Sequence, residues 1–208
     1  MSATPTRILR LGPELGLDAE FAHMGGDYSY MSSAYYEVLD AEMAGQRIIP
    51  TTLDALDAYV PPIAMERARL AGLLVPEFEL VTERFPAPPF MAYPVNPFSS
   101  AAELILDSET LERRRNGLTY TGKYAALCQK LPSDYRVDVV RMVLGRCLSD
   151  EYREFAREVF GLFRVPLARV RVIVASHGYL LSALEPLPFE SLTLNEKALL
   201  TGLGTWPS

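Results

Sequence analysis

The sequence predicts an α/β (α+β) fold, a small mixed sheet with helices packed against it, and three observations carry that expectation. Short strand-like runs at Arg7–Leu11 (RILRL) and Arg47–Pro50 (RIIP) flank a helical stripe. A second stripe, Tyr152, Phe155, Ala156, Val159, Phe160 and Phe163, recurs at the helical period. The stretches LARVRVIVA and YLLSAL lie on either side of Ser176-His177-Gly178 and read as a β-hairpin.

In chain order, RILRL ends at Gly12-Pro13, a turn signal. Met31, Ala34, Tyr35, Val38 and Leu39 then fall on one helical face, with Ser32 or Ser33 as cap and Gly45 as stop. Ile48-Ile49 reads as a buried strand ended by Pro50, which completes a strand, helix, strand (βαβ) unit. Two short helices follow between Thr51 and Leu74, broken at Pro61-Pro62. From Val75 to Phe98 the six prolines Pro76, Pro86, Pro88, Pro89, Pro94 and Pro97 predict little regular structure. Leu104–Arg115 reads as a helix whose basic last turn, Arg113-Arg114-Arg115, precedes an Asn116-Gly117 stop. Arg136–Leu144 alternates as a half-buried strand does, with Val137, Val139 and, depending on register, Met142 facing inward. Ser149-Asp150-Glu151 supplies a cap and acidic first turn for the helix that reaches Phe163.

With 208 residues, 49% of them apolar, one domain spanning 1–208 is expected, with a proline- and aromatic-rich insertion at about 75–133. A formal net charge of −6 makes nucleic acid a poor partner. No apolar run approaches the roughly 20 residues of a membrane span, so no membrane partner is expected. Cys128 and Cys147 form no metal or redox motif, and the start MSATPTR has no signal-peptide core, which together suggest a cytoplasmic chain.

The residues Tyr28-Ser29-Tyr30-Met31-Ser32-Ser33-Ala34-Tyr35-Tyr36 resemble the Tyr-x-Tyr-x-Ser-x-Gly-Tyr-Tyr signature of the RimK-like ATP-grasp N-terminal domain family. Glu37–Pro50, Leu144-Gly145-Arg146, the helix from Ser149 to Phe163, Pro166-Leu167 and Leu184-Glu185-Pro186-Leu187 follow in the family's order. The resemblance covers the first and last thirds of the chain and is weak from about Val75 to Ser133. Gly25-Gly26-Asp27 stands where the family carries a basic residue, and Ala34 where it carries Gly. The chain ends at Ser208, so the resemblance implies a stand-alone member lacking the ATP-grasp module. It further implies an α/β domain of the kind that precedes an ATP-grasp fold. The implied function is an accessory or substrate-positioning component acting with a separately encoded ATP-grasp amide or peptide ligase, in natural-product or peptide-modifying metabolism. The implied cofactors, ATP and magnesium, would belong to that partner ligase and none to this chain. Two other readings stand beside it, a free-standing enzyme or binder of an amino acid or its derivative, and a self-associating scaffold.

The residues offer no complete catalytic set. Gly122-Lys123 lacks the rest of a phosphate loop, and His23 and His177 belong to no visible triad or metal motif, so no metal site is expected. Tyr28, Ser29, Tyr30, Ser32, Tyr35 and Tyr36, with Arg146, are the candidate substrate-binding residues, because a helix N-terminus favours an anionic ligand. The competing reading is structural, with Tyr35 in the core and the Tyr30 and Tyr36 hydroxyls anchoring the loop. Arg113, Arg114, Arg115 and Lys123 are the densest cations and fit either an anion or partner contact or a solvated helix end. Phe85, Phe90, Met91 and Tyr93 fit either a partner-docking arm or a lid over the chain's own core.

Overall fold

The computed structural model describes residues 7–96 and 102–206. Pro97 and Phe98, the end of the proline-rich stretch, lie outside the described residues. The chain runs through β1 (Ile8–Leu11), β2 (Phe21–His23), α1 (Ser33–Met43), β3 (Ile48–Ile49), α2 (Thr52–Tyr59) and α3 (Pro61–Leu70). There follow β4 (Phe78–Val81), β5 (Phe90–Pro94), β6 (Glu103–Ile105), α4 (Ser108–Thr119), β7 (Ala126–Lys130) and β8 (Arg136–Val143). The last elements are α5 (Arg153–Phe163), β9 (Leu167–Ala175), β10 (Gly178–Pro186), α6 (Leu194–Ala198) and β11 (Gly204–Thr205). The described residues thus form a mixed α/β fold of three small sheets and six helices. Contacts divide the chain into two compact units, the first made of 1–59, 139–170 and 184–208, the second of 60–138 and 171–183. The described residues of the stretch 75–133, expected as an insertion, fall in the second unit.

In the first unit a mixed sheet has the order β11-β1-β2-β3, with β1 antiparallel to β2 and β2 parallel to β3. The strand, helix, strand unit is therefore β2-α1-β3, not one that starts at β1. The three residues of β2 are too few to show alternation in sequence, which is why that strand was not legible. Ser32 caps α1, its Oγ accepting from the Tyr35 N–H at 3.1 Å. Gly45 closes the helix at φ 76°, a left-handed turn that a side chain would strain. The face α1 buries is Ala34, Val38 and Ala41. Met31, expected on that stripe, precedes the helix at φ 70° and is exposed. The last helix, α6, carries a capping box in which Thr193 and Glu196 each satisfy the other's backbone N–H.

The second unit's sheet has the order β4-β7-β5-β6, antiparallel throughout. Two of its strands, β4 and β5, occupy the segment expected to hold little structure. The prolines do not prevent this, because Pro76 precedes β4, Pro86, Pro88 and Pro89 lie in the connection, and Pro94 is the last residue of β5. Being central, β5 is buried at all five positions and shows no alternation to mark it. Phe90, Ala92, Val81, Ile105, Leu118, Ala126 and Cys128 form one core cluster, onto which Phe85 and Leu111 pack. Phe85 stacks on Phe90 with ring centroids 6.3 Å apart. The candidate partner arm Phe85, Phe90, Met91 and Tyr93 is therefore corrected: its large side chains are spent on the chain's own sheet.

The fourth helix also differs from expectation. Leu104 belongs to β6, and Asp107 caps α4 by accepting from the Thr110 N–H at 2.7 Å. The helix runs through Asn116-Gly117 and stops at Thr119, where Tyr120 and Thr121 turn left-handed. Arg113–Arg115 therefore sit in mid-helix, away from the carbonyls of the final turn. The third sheet has the order β10-β9-β8, as the predicted hairpin requires. Along β8 the buried residues are Val140, Met142 and Val143, whereas Val137 is half-buried and Val139 exposed. That settles the register against an inward Val139. The helix α5 buries Phe155, Ala156, Val159, Phe160 and Phe163, as its stripe predicts.

Candidate functional site

The loop from β2 into α1 is built on two glycines. A Cβ on Gly25 would meet the His23 ring at 2.7 Å and Ala34 Cβ at 2.8 Å, and one on Gly26, at φ 80°, would meet the Leu187 carbonyl oxygen at 1.9 Å. That close approach lets the Leu187 N–H donate to the Gly26 carbonyl at 2.9 Å. The side chain of His23 is buried: Nδ1 accepts from the Gly25 N–H at 3.2 Å, and Nε2 faces Glu37 Oε2 at 2.8 Å. An acceptor at Nδ1 and a donor at Nε2 describe the neutral imidazole. Burial lowers the His23 pKa from its ordinary 6.5, outweighing the opposite pull of Glu37.

The nine-residue aromatic segment splits into an inward and an outward part. Tyr28 is buried, donates its hydroxyl to the His23 carbonyl, meets the His23 ring edge-on at 5.8 Å and stacks on Tyr59 at 6.4 Å. Burial pushes the phenols of Tyr28 and Tyr59 well above their usual range. The hydroxyl of Tyr59 is buried and makes no hydrogen bond among the described residues. Outward, Tyr30 meets Tyr35 edge-on at 5.5 Å and Tyr35 meets Tyr36 edge-on at 5.9 Å. Tyr30 and Tyr36 are exposed and Tyr35 is half-buried. The core tyrosine is thus Tyr28, and the structural reading that placed Tyr35 in the core is corrected. Ser29 donates its N–H to Asp27 Oδ1, and Ser32 Oγ donates to the Asp27 carbonyl, which ties the loop to the helix start.

The other candidate residues lie on other elements. Arg146 is exposed in the turn after β8, where its backbone bridges Val143. On α4, Arg114 pairs with Glu103 at 3.7 Å, Arg115 with Glu112 at 3.4 Å, and Arg113 reaches Thr110 Oγ1 at 3.4 Å. Lys123 lies over the rings of Tyr120 and Tyr124, 5.9 and 5.5 Å from their centroids. These cations are engaged locally on an exposed surface, where each such pair contributes about 0–1 kcal/mol.

A polar cluster that sequence reading missed lies inside the second unit. Gln129 and Ser182 are fully buried. Ser182 Oγ donates to Gln129 Oε1 at 2.6 Å, and the Tyr93 hydroxyl reaches Ser182 Oγ at 2.6 Å. Gln129 Nε2 donates to the Ser182 carbonyl at 2.7 Å and lies 3.3 Å from Met65 Sδ. The signal available was one polar residue inside each apolar strand, Gln129 in ALCQK and Ser182 in YLLSAL. The same unit holds a cleft of about 350 Å³ beneath Pro86 and Pro89, lined also by Glu79, Phe90 and Cys128. Burial pushes the Cys128 thiol up to about 12, which favours its protonated form at neutral pH. Among the described residues no group of three or more His, Cys, Asp or Glu is placed to hold a metal ion, and no helix is long and apolar enough to cross a membrane.

The fold these units make is found in ATP-grasp ligases. D-alanine–D-alanine ligase from Bacillus anthracis, complexed with ATP, matches with a TM-score of 0.59 over 85% of this chain and 72% of that one, at 13% identity. The RimK domain protein ATP-grasp from Sphaerobacter thermophilus DSM 20745 matches with a TM-score of 0.58 over 79% and 72%, also at 13% identity. The chain spans 58% of the ATP-grasp ligase PsnB, at a TM-score of 0.48 and 16% identity. Residues 103–202 match the family model of the RimK-like ATPgrasp N-terminal domain. That segment takes in β6 to α6, including the strand, helix and hairpin, and lies apart from Tyr28–Tyr36. No curated protein matches the chain in sequence.

Proposed function

We propose that the chain is an accessory, substrate-positioning component that works with a separately encoded ATP-grasp ligase making an amide or peptide bond. The observation that supports it is a contrast within a ligase fold. The interior polar groups Tyr93, Gln129 and Ser182 are neutral and bonded to one another, while the outward rings of Tyr30, Tyr35 and Tyr36 stand ready for contact. A closed, neutral centre suits a scaffold better than charge-stabilising chemistry on a phosphoryl group, which calls for cations and metal-binding carboxylates. In this reading ATP and magnesium belong to the partner.

The test is affinity purification of the native protein from its own host, followed by ADP release from any co-purifying ligase, with and without this chain. The proposal expects an ATP-grasp ligase in fixed ratio and a product yield that falls when the chain is left out. Purified chain that by itself turns ATP over in the presence of an amine and a carboxylate overturns it. A second reading, a binder of an amino acid or its derivative, is favoured by one observation, the buried Tyr59 hydroxyl without a hydrogen-bond partner among the described residues. Mass spectrometry of small molecules released on denaturation tests that reading.

A further inference from the structure

The outward face of α1 and the loop before it combines two properties. The first is exposed apolar area: Tyr30 is 55% exposed, Met31 59%, Tyr36 48% and Met43 80%. The rings of Tyr30, Tyr35 and Tyr36 form a continuous edge-to-face ladder. The second is one-sided charge. Between Met24 and Gln46 the sequence carries Asp27, Glu37, Asp40 and Glu42 and no Lys or Arg. The next cation along the chain, Arg47, is already paired with Asp18 and Glu20. Glu37 faces the buried neutral His23, and Glu42 accepts from the Thr52 N–H at 2.9 Å. Asp40 lies four residues from Tyr36, hence beside it on the same helical face, with Met43 one turn further on.

Tyrosine faces attract guanidinium and ammonium groups, and carboxylates at their margin add to that attraction while repelling acidic partners. The two properties together select one occupant. We infer that the face formed by Tyr30, Met31, Tyr35, Tyr36 and Asp40 docks an arginine- or lysine-bearing extended segment of a partner protein, its cationic heads over the rings and its stems along Met31 and Met43. The left-handed backbone of Met31, at φ 70°, fits this role, because a strained residue that holds an apolar side chain in solvent contributes nothing to the core. The inference stands whether or not the partner is a ligase.

The probe is a short fluorescent peptide of alternating Arg and Gly, compared with its Glu-Gly counterpart by fluorescence anisotropy on the full chain at low salt. The Arg peptide binds and the Glu peptide does not. Tyr36→Leu weakens binding about fivefold, Tyr36→Phe leaves it within about twofold because the ring face is kept, and Asp40→Asn weakens it about two- to threefold. Both positions are solvent-facing, so the variants keep the fold, which circular dichroism verifies. Equal binding of the two peptides overturns the inference, as does Tyr36→Leu binding as tightly as the parent, which reduces the contact to the chain's general acidity. A concentration-dependent dimer that Tyr36→Leu dissolves also overturns it, in favour of a second copy as the occupant. A peptide that binds as expected in a protein that recruits no ligase leaves this inference in place and sinks only the accessory role.

Discussion

Two tyrosine clusters, one in each unit, are used in opposite ways. In the second, Tyr93 lies on a strand covered on both faces, and its hydroxyl joins Ser182 and Gln129 in a network with its partners in place. In the first, three of the four tyrosines between positions 28 and 36 turn outward and touch mainly one another, while Tyr28 alone goes into the core. The lesson is that residue type does not mark the functional surface. What separates the two is whether neighbouring strands cover the ring, and whether the phenol has a fixed partner.

The largest effect expected from breaking this contrast is on the support of the outward face. Gly26→Ala places a Cβ against the Leu187 carbonyl at a left-handed φ, and should cost about 3 kcal/mol or more in urea unfolding. Next, Ser182→Ala strands Gln129 Oε1 inside the second unit and should cost about 1–3 kcal/mol. A loss well under that range would mean that the network is not closed as described. In the first unit, Arg141→Ala removes the partner that binds the buried Glu196 through two guanidinium nitrogens, with an expected loss of about 1–3 kcal/mol at neutral pH.

Acid sharpens the same comparison, because the titratable groups with shifted pKa that are buried by their neighbours lie mainly in the first unit. The folded pKa of His23 is lowered, so its neutral form contributes fully above about 6.5 and loses that contribution as pH falls toward the folded value. The Arg141 guanidinium holds the Glu196 carboxyl below its ordinary 4.5. That contribution is present above 4.5 and lost as pH falls through the lowered value. Chemical denaturation between pH 7 and pH 4 should therefore show a decline that His23→Gln flattens in its upper part. The smallest effect is on stability at the outward rings: Tyr30→Ala and Tyr36→Ala should each change it by less than about 0.5 kcal/mol. A larger loss from either would place that ring in the core.

Legibility in the sequence followed length and periodicity. The α5 stripe, the β9–β10 hairpin, the α1 cap at Ser32 (one of the two serines expected there), the Gly45 stop and the break at Pro61 all rest on contacts within a few residues, and each appears where local reasoning allowed it. The sheet β4-β7-β5-β6 was hidden for the converse reason. Its strands are short, β5 is buried on both sides, and the prolines that suggested an irregular arm lie at strand margins. The site behaved likewise. The segment Tyr28–Tyr36 was visible as a cluster, but which ring turns inward depends on His23, Tyr59 and the Gly26–Leu187 contact, and Leu187 is distant in sequence.

The sequence by itself determined the α/β class, the Gly45 end of α1, and the acidic character of the α1 face, because these depend on backbone preference, local geometry and charge count. Tertiary structure alone decided the pairing of β2 with β3, the union of Tyr93, Gln129 and Ser182, and the outward turn of Tyr30 and Tyr36. Those outcomes depend on which distant segments share a sheet and so cover one ring and leave another in solvent, and no local window of the chain contains that information.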